Sequence, residues 1–373
     1  MPPVNGFVET QSDQLVLGDE PFHIAGANIY YFAFSTEADQ TRLLDLAEDF
    51  GLNVLRIWAF NDFINVPPNP PVPGDSEVCF QFLNPGAAGP ELRDGPFGLG
   101  RLDSAINLAG DRGIRLILTL TNYHADYGGM PQYQRWLGLP NLNNFYSDAR
   151  AKTAFQNWVQ AMLTRQNALT NISYADDPTI LAWEIANEPR CPSDPSGTQT
   201  VTDWLAEMSA FMRPLVPRQL IAAGDEGFFN HQSAGNNWLF NGSVGVSTED
   251  ILGIPDIDLG TFHLYPDQWG KSEQTQAFGE MWIQTHIDAA SRASKPVVLE
   301  EYGVPATASR NDIYESWLGL IEQENAAGDL VWMLGLPTQG DAYLLSSVAD
   351  APALSDHARR YATASDSDSA ESN

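Results

Sequence analysis

Short apolar runs recur along this chain, and between them the apolar positions change to a stripe with helical spacing. The runs cover residues 22–27, 53–58, 114–121, 180–186, 219–223, 260–265, 296–300 and 329–334. Each has the length and the branched apolar content of a strand buried on both faces. Phe155, Trp158, Val159, Met162 and Leu163 then hold one face of a predicted helix, and Trp204, Leu205, Met208, Phe211 and Met212 hold another. Eight strands alternating with helices predict an α/β protein, a closed parallel (β/α)8 TIM barrel. An open doubly wound sheet would want a glycine-rich phosphate loop after its first strand. Gly26-Ala27-Asn28-Ile29-Tyr30-Tyr31 supplies none.

Ahead of the first barrel strand, residues 7–10 and 14–17 predict a β-hairpin, and Gly18-Asp19-Glu20-Pro21 turns the chain inward to plug the barrel's bottom. Two stretches, 66–98 and 227–256, are rich in Pro, Gly, Asn and Ser and follow strand ends on the C-terminal face. Long loops there are where barrel sites form. Residues 1–362 are expected to make one barrel domain, and residues 363–373, which are Ser, Asp, Ala and Glu without periodicity apart from the opening Thr and the closing Asn, a disordered acidic tail.

A length of 373 residues suits a single elaborated barrel. Net charge is −29, from 48 acidic and 19 basic residues. Such a field repels nucleic acid and anionic membranes and suits a neutral substrate. Only Lys152, Lys271 and Lys295 are lysines, and acid excess without lysine resembles the surface of a halophilic protein. An acidic secreted protein without a salt requirement is the plainer alternative. No run of 18 apolar residues is present. Met1-Pro2-Pro3-Val4-Asn5 is not a signal peptide as written, and the expectation is a secreted protein whose export signal has been removed. The two cysteines, Cys79 and Cys191, both in loop-like stretches, leave one disulfide or two thiols open.

Two segments carry candidate chemistry: Trp183-Glu184-Ile185-Ala186-Asn187-Glu188-Pro189 and Val298-Leu299-Glu300-Glu301-Tyr302-Gly303. Each is an apolar run ending in a carboxylate. A barrel places the ends of its fourth and seventh strands over one mouth, and two carboxylates flanking one bond are the equipment for cleaving a glycosidic linkage. Glu188 is expected to keep its proton near neutral pH through desolvation, as a general acid must. Strand alternation lets only one of Glu300 and Glu301 face the mouth, and Glu301 is chosen because the chain turns just after it. A separation of about 5 Å would make the reaction a retaining one. Arg56 would hold a carboxylate ionised. His263 and Tyr265 alternate onto one face, the tyrosine beside the nucleophile. Asn187 could bond a sugar hydroxyl and the acid. Trp332 and Trp269 are candidates for stacking on sugar rings. No His-Glu-x-x-His pair, cysteine–histidine metal spacing, Gly-x-Ser-x-Gly elbow or phosphate loop is present, so no cofactor or metal is expected.

At these residues the chain resembles glycoside hydrolase family 5 of clan A, and within it the endo-β-1,4-mannanases. The resemblance runs from the hairpin to the eighth strand. It is most specific at Tyr174-Ala175-Asp176-Asp177-Pro178-Thr179-Ile180-Leu181-Ala182-Trp183-Glu184 and Asn187-Glu188-Pro189-Arg190. Asn53 to Phe60, Tyr127-Gly128-Gly129-Met130, Asp225 to Phe229 and His263 to Trp269 support it. It implies retaining hydrolysis of β-mannan by a monomer, with Glu188 as acid/base and Glu301 as nucleophile. Arg56, Asn187, His263, Tyr265 and Trp332 match positions around the cleaved bond, and Trp269 and Arg190 match positions near flanking sugars. Trp58, Tyr31 and His124 complete the candidate substrate-binding set. There is one departure. Relatives tend to read Asn-Asn-Trp before the Tyr-Gly-Gly turn, where this chain has Asn122-Tyr123-His124, and a stacking face at one subsite is expected to be missing.

Overall fold

The structure is a computed structural model. It describes residues 3–63, 78–84, 86–87, 89–192, 194 and 197–371, with side chains described as far as 362. The part of the long 66–98 stretch that spans 66–77 therefore lies outside the described residues.

The chain opens with β1 (Val8–Gln11), β2 (Gln14–Leu17) and β3 (Glu20–Pro21), an antiparallel sheet. The first two pair as Val8 with Leu17 through Gln11 with Gln14, as expected of a hairpin. β4 (Ile24–Asn28), α1 (Glu37–Phe50) and β5 (Val54–Trp58) follow. Helix α1 starts where the Thr36 hydroxyl accepts from Asp39 N and stops where Gly51 turns left-handed at φ 82°. Its Leu43, Leu44, Ala47 and Phe50 face the barrel. Part of the stretch expected to be irregular is ordered: its β7 (Gln81–Phe82) and β8 (Glu91–Leu92) join the preceding β6 (Asp62–Phe63) in a small sheet.

Then come α2 (Gly100–Asp111), β9 (Arg115–Thr119), α3 (Gly129–Leu137), α4 (Ala149–Leu163), β10 (Ile180–Glu184), α5 (Gln199–Met212) and β11 (Leu220–Ala222). The last third holds α6 (Thr248–Leu252), β12 (Gly260–Leu264), α7 (Thr275–Ala293), β13 (Val297–Tyr302), α8 (Arg310–Gln323), β14 (Gly328–Val331) and α9 (Pro352–Glu371). Helix α9 runs to Glu371, through most of the tail that sequence periodicity left without an element.

All eight barrel strands fall inside the predicted runs or within two residues of them. They hydrogen-bond in the order β11-β10-β9-β5-β4-β14-β13-β12, all parallel. A parallel bridge from Ala222 to Leu259 joins the two edges and closes the barrel. Two apolar layers hold it. One lies between the strands and the helices, with Trp158, Trp204, Trp282 and Trp317 fully buried. The other fills the barrel's lower interior, where Val8 and Leu15 of the hairpin meet Ile24, Val54, Ile117, Leu181, Val298 and Leu330. The hairpin thus plugs the bottom, and only the upper end is left for polar chemistry. Cys79 and Cys191 are both buried free thiols, which resolves the alternative left open by sequence.

Candidate active site

Arg56 sits near the end of β5 in the barrel axis, fully buried, and five acceptor atoms converge on it. Its Nε donates to Glu184 Oε2 at 2.6 Å and its Nη2 to Glu184 Oε1 at 2.7 Å. Nη2 also donates to Asn187 Oδ1 at 2.6 Å, and Nη1 to Glu301 Oε1 at 2.5 Å and Asn28 Oδ1 at 2.9 Å. Glu300 Oε1 stands 3.7 Å from Nε. Burial works against the guanidinium charge, but Glu184, Glu300 and Glu301 outweigh it and hold Arg56 well above its ordinary value.

Three carboxylates around one cation leave an excess of negative charge, and the cluster answers by keeping a proton. Burial pushes Glu184 up to about 8 against the pull of Arg56, and the neighbouring Glu300 raises it further. Sequence reasoning passed over Glu184 and set Glu300 aside in favour of Glu301. The signal was there for Glu184: in a strand, Glu184, Ala186 and Glu188 alternate onto one face.

Glu300 also corrects the alternation argument. Strand β13 slips register against β12, where Phe262 pairs Leu299 but His263 pairs Glu301. This irregularity turns both consecutive glutamates toward the axis. Glu301 reaches the mouth, where Tyr265 Oη donates to its Oε2 at 2.8 Å. Glu300 stays beneath, its Oε2 3.4 Å from His263 Nε2.

Glu188 faces Glu301 from β10's extension. Its backbone adopts φ 49°, a left-handed conformation that is strained for a glutamate. Glu188 N donates to Gly224 O and Asn187 N to Thr121 O, both at 2.8 Å, and these clamp the turn. Gly224 (φ +79°) tolerates no side chain, because a Cβ there would come within 2.1 Å of Ala186 O and 2.5 Å of Glu184 Oε1. Two imidazoles bracket the carboxylate: His263 Nδ1 lies 2.8 Å from Oε1 and His124 Nε2 lies 2.8 Å from Oε2. Burial would raise Glu188, but the hydrogen bonds of His124 and His263 and the charges on them hold it well below the usual range. Desolvation, expected to keep Glu188 protonated, is thereby outweighed by the two imidazoles. His263, fully buried, is held well above its ordinary value because Glu301, Glu188 and Glu300 outweigh its burial.

One donor atom each from Glu188, His263 and Glu301 lie within 4.8 Å of one another. A divalent ion would fit that spacing but would face the Arg56 cation 2.5 Å from Glu301, and every one of the three groups is already engaged. The open cleft above is a cavity of about 240 Å³ bounded by Trp58, His124, Glu188, Tyr265, Glu301 and Trp332. Trp58 offers a buried indole N–H without a hydrogen-bond partner beside the cleft. Tyr30 stacks on Trp332 at 5.5 Å and 11°. Three larger hollows lie elsewhere, on the flank of α4, at residues 270–274 and at the barrel's bottom, and none brings two carboxylates together among the described residues.

The other predicted residues take different places. Tyr31 is buried, and its hydroxyl accepts from Leu336 N; its neighbour Tyr30 contacts the aromatic wall instead. Trp269 packs against Phe228 at 5.6 Å and Trp282 at 5.4 Å and is buried rather than lining the cleft. Arg190 donates to both oxygens of Glu226 at 2.5 Å and lies over the Phe228 ring. Burial and the nearby Glu188 charge push Glu226 up to about 7. Gln268, which lies inside the His263–Trp269 segment but was not singled out, and Asp341 and Tyr343, which no motif marked, complete the far wall.

A family model described as "GH family 5 beta-mannosidase-like" matches residues 5–317. The chain is 37% identical over 316 residues to the probable mannan endo-1,4-beta-mannosidase C of Aspergillus terreus, covering 80% of this chain and 73% of that protein. Among solved structures, the endo-1,4-beta-mannanase from Rhizomucor miehei superposes with a TM-score of 0.89 at 34% identity, covering 96% of this chain and all 100% of that one. The endo-beta-1,4-mannanase from Thermotoga petrophila gives a TM-score of 0.79 at 35% identity, covering 91% and 77% of the two chains.

Proposed function

The chain belongs to the glycoside hydrolase family 5 β-mannosidase-like family, and from that premise we propose that it hydrolyses internal β-1,4 linkages of mannans, galactomannans and glucomannans with retention at the anomeric carbon. The relatives named as endo-mannanases support the substrate and the endo mode. One observation carries the chemistry: carboxylate oxygens of Glu188 and Glu301 lie within 4.8 Å of each other across the cleft. That is the retaining spacing of about 5 Å, too close to seat a water between carboxylates.

Glu301 is the nucleophile. Arg56 and Tyr265 donate to its two oxygens and hold it aimed into the cleft. It attacks C1 while Glu188 protonates the departing oxygen. In the second half Glu188 takes a proton from water, whose oxygen displaces Glu301 from C1. Trp58, Tyr30 and Trp332 give the sugar rings an aromatic wall. A polymer too large to enter a cell supports secretion, and no described helix is long and apolar enough to cross a membrane. The enzyme is proposed to act as a monomer.

Glu188→Ala and Glu301→Ala should each lower kcat on mannan by roughly a thousandfold or more. Near-full activity in either variant removes the role assigned to that residue. Products from one mannan oligosaccharide should span several lengths; release of single sugars alone would replace the endo reading with an exo one.

A further inference from the structure

The carboxyl group that must deliver a proton is, in the free enzyme, pressed between two imidazoles, and the two are not alike. His263 is fully buried and tied on its other nitrogen to Glu300, with Glu301 3.6 Å away. That anionic surrounding holds it well above its ordinary value, which favours the form that donates to Glu188 Oε1. A proton in transit can then reside only on Oε2, the oxygen on the cleft side. The group that meets Oε2 is His124, whose side chain is 41% exposed at the mouth. Asn122 positions this imidazole: its Oδ1 accepts from His124 N at 3.1 Å and from Asn187 Nδ2 at 3.0 Å, which ties His124 to the same strand end as Glu188.

We propose that His124 is the proton store of the acid/base: its Nε2 carries the catalytic proton in the free enzyme and passes it to Glu188 Oε2 when a mannan chain covers the mouth. Cover by substrate removes the water that stabilises the imidazolium–carboxylate pair and favours the neutral pair, a carboxylic acid bonded to a neutral imidazole. In the first half-reaction Glu301 bonds to C1, the C1–O bond electrons go to the leaving oxygen, and that oxygen takes the proton from Glu188. Glu188 is left ionised and His124 neutral. In the second half Glu188 takes a proton from the attacking water, the Glu301–C1 bond breaks, and the proton returns to His124 as product leaves. The store is refilled with no net change in protons.

The charged groups around His124 fit this role. Its hydrogen bond to Glu188 raises it from its ordinary value and outweighs burial; Arg190 lowers it and Glu226 raises it. Asp126 lines the same mouth, and the Tyr123 ring packs edge-on at 5.4 Å. His124 is a positioning residue, since it acts through Glu188.

The inference rests on Glu188 being the acid/base, and leaving-group dependence separates the two. His124→Ala is assayed on a mannan oligosaccharide and on a 2,4-dinitrophenyl β-mannobioside, whose phenolate departs without protonation. The oligosaccharide rate at neutral pH should fall by roughly ten- to a hundredfold, far more than the aryl rate. The alkaline limb of kcat/KM should move toward acid by about one pH unit or more, because Glu188 beside a cationic His263 alone is a stronger acid. Added imidazole should restore part of the oligosaccharide rate. Equal losses on both substrates, or an unmoved alkaline limb, overturn the store and leave His124 as a structural contact. His124→Asn, read in the same way, decides the matter if the alanine variant does not fold. Glu188→Ala, by contrast, must lose oligosaccharide activity whichever way His124 behaves.

Discussion

Arg56 satisfies five acceptor atoms on four residues from three different strand ends with one planar group. Lysine has the charge but not the fork, so it cannot reach Glu184, Asn28, Asn187 and Glu301 together. Arg56→Lys should therefore leave buried carboxylates partly unpaired and cost about 2–4 kcal/mol in urea unfolding, with kcat reduced at least tenfold. An unchanged midpoint and rate would show that the cluster does not depend on the guanidinium. At this scale the sequence was legible wherever a polar residue interrupted an apolar run at a strand end: Arg56, Glu188, His263, Tyr265 and Glu301 all meet around one cleft. It was illegible where the backbone departs from regular alternation. The slip in β13 brings Glu300 in, and the choice between Tyr30 and Tyr31 depends on a one-residue rotation in a loop. Trp269 misled because a tryptophan near a strand end carries no mark of whether its face meets sugar or Phe228.

Strands and helices were read with less difficulty, since a parallel barrel buries its strands on both sides and writes each as an apolar block. The pieces that the pattern missed are β6–β8, two residues each, too short for any period. Helix α9 shows how one element is fastened. His357 Nδ1 pairs with Glu322 Oε1 of α8 at 2.5 Å, and its Nε2 with Asp329 Oδ2 of β14 at 2.7 Å. Tyr302 Oη donates to the other oxygen of Asp329 at 2.6 Å. Burial favours the neutral ring, but Asp329 and Glu322 outweigh it and push His357 up to about 9. A histidine raised on folding stabilises fully below its unfolded value near 6.5 and loses that contribution as pH rises through 9. The stake is about 3 kcal/mol. Glu322, drawn down to about 2 by His357 and Arg360 against its burial, gives stability above about 4.5 that fades as pH falls toward 2. The melting temperature of the wild type should drop more steeply between pH 6.5 and 9 than that of His357→Gln; parallel curves would mean the ion pair does not hold α9.

The whole molecule carries a net charge of −29 on a closed barrel. Repulsion between such surface charges reaches about 10 Å at 0.1 M salt and about 3 Å at 1 M. We therefore expect the melting temperature to rise by several degrees, roughly, as sodium chloride goes from 0.05 to 1 M. A constant melting temperature would place the acidity outside the stability balance and favour the plainer secreted reading. Closure matters for the site as well as for the fold. Val8 and Leu15 stopper the lower end with hydrocarbon, so Arg56, Glu184 and Glu300 meet solvent through the cleft alone. A polysaccharide lying across that opening acts as the second stopper. During each turnover the buried charges are then shielded from bulk solvent, so the proton that departs on the released sugar is made good by the single water that attacks C1, and the cleft ends the cycle with the charge it started with.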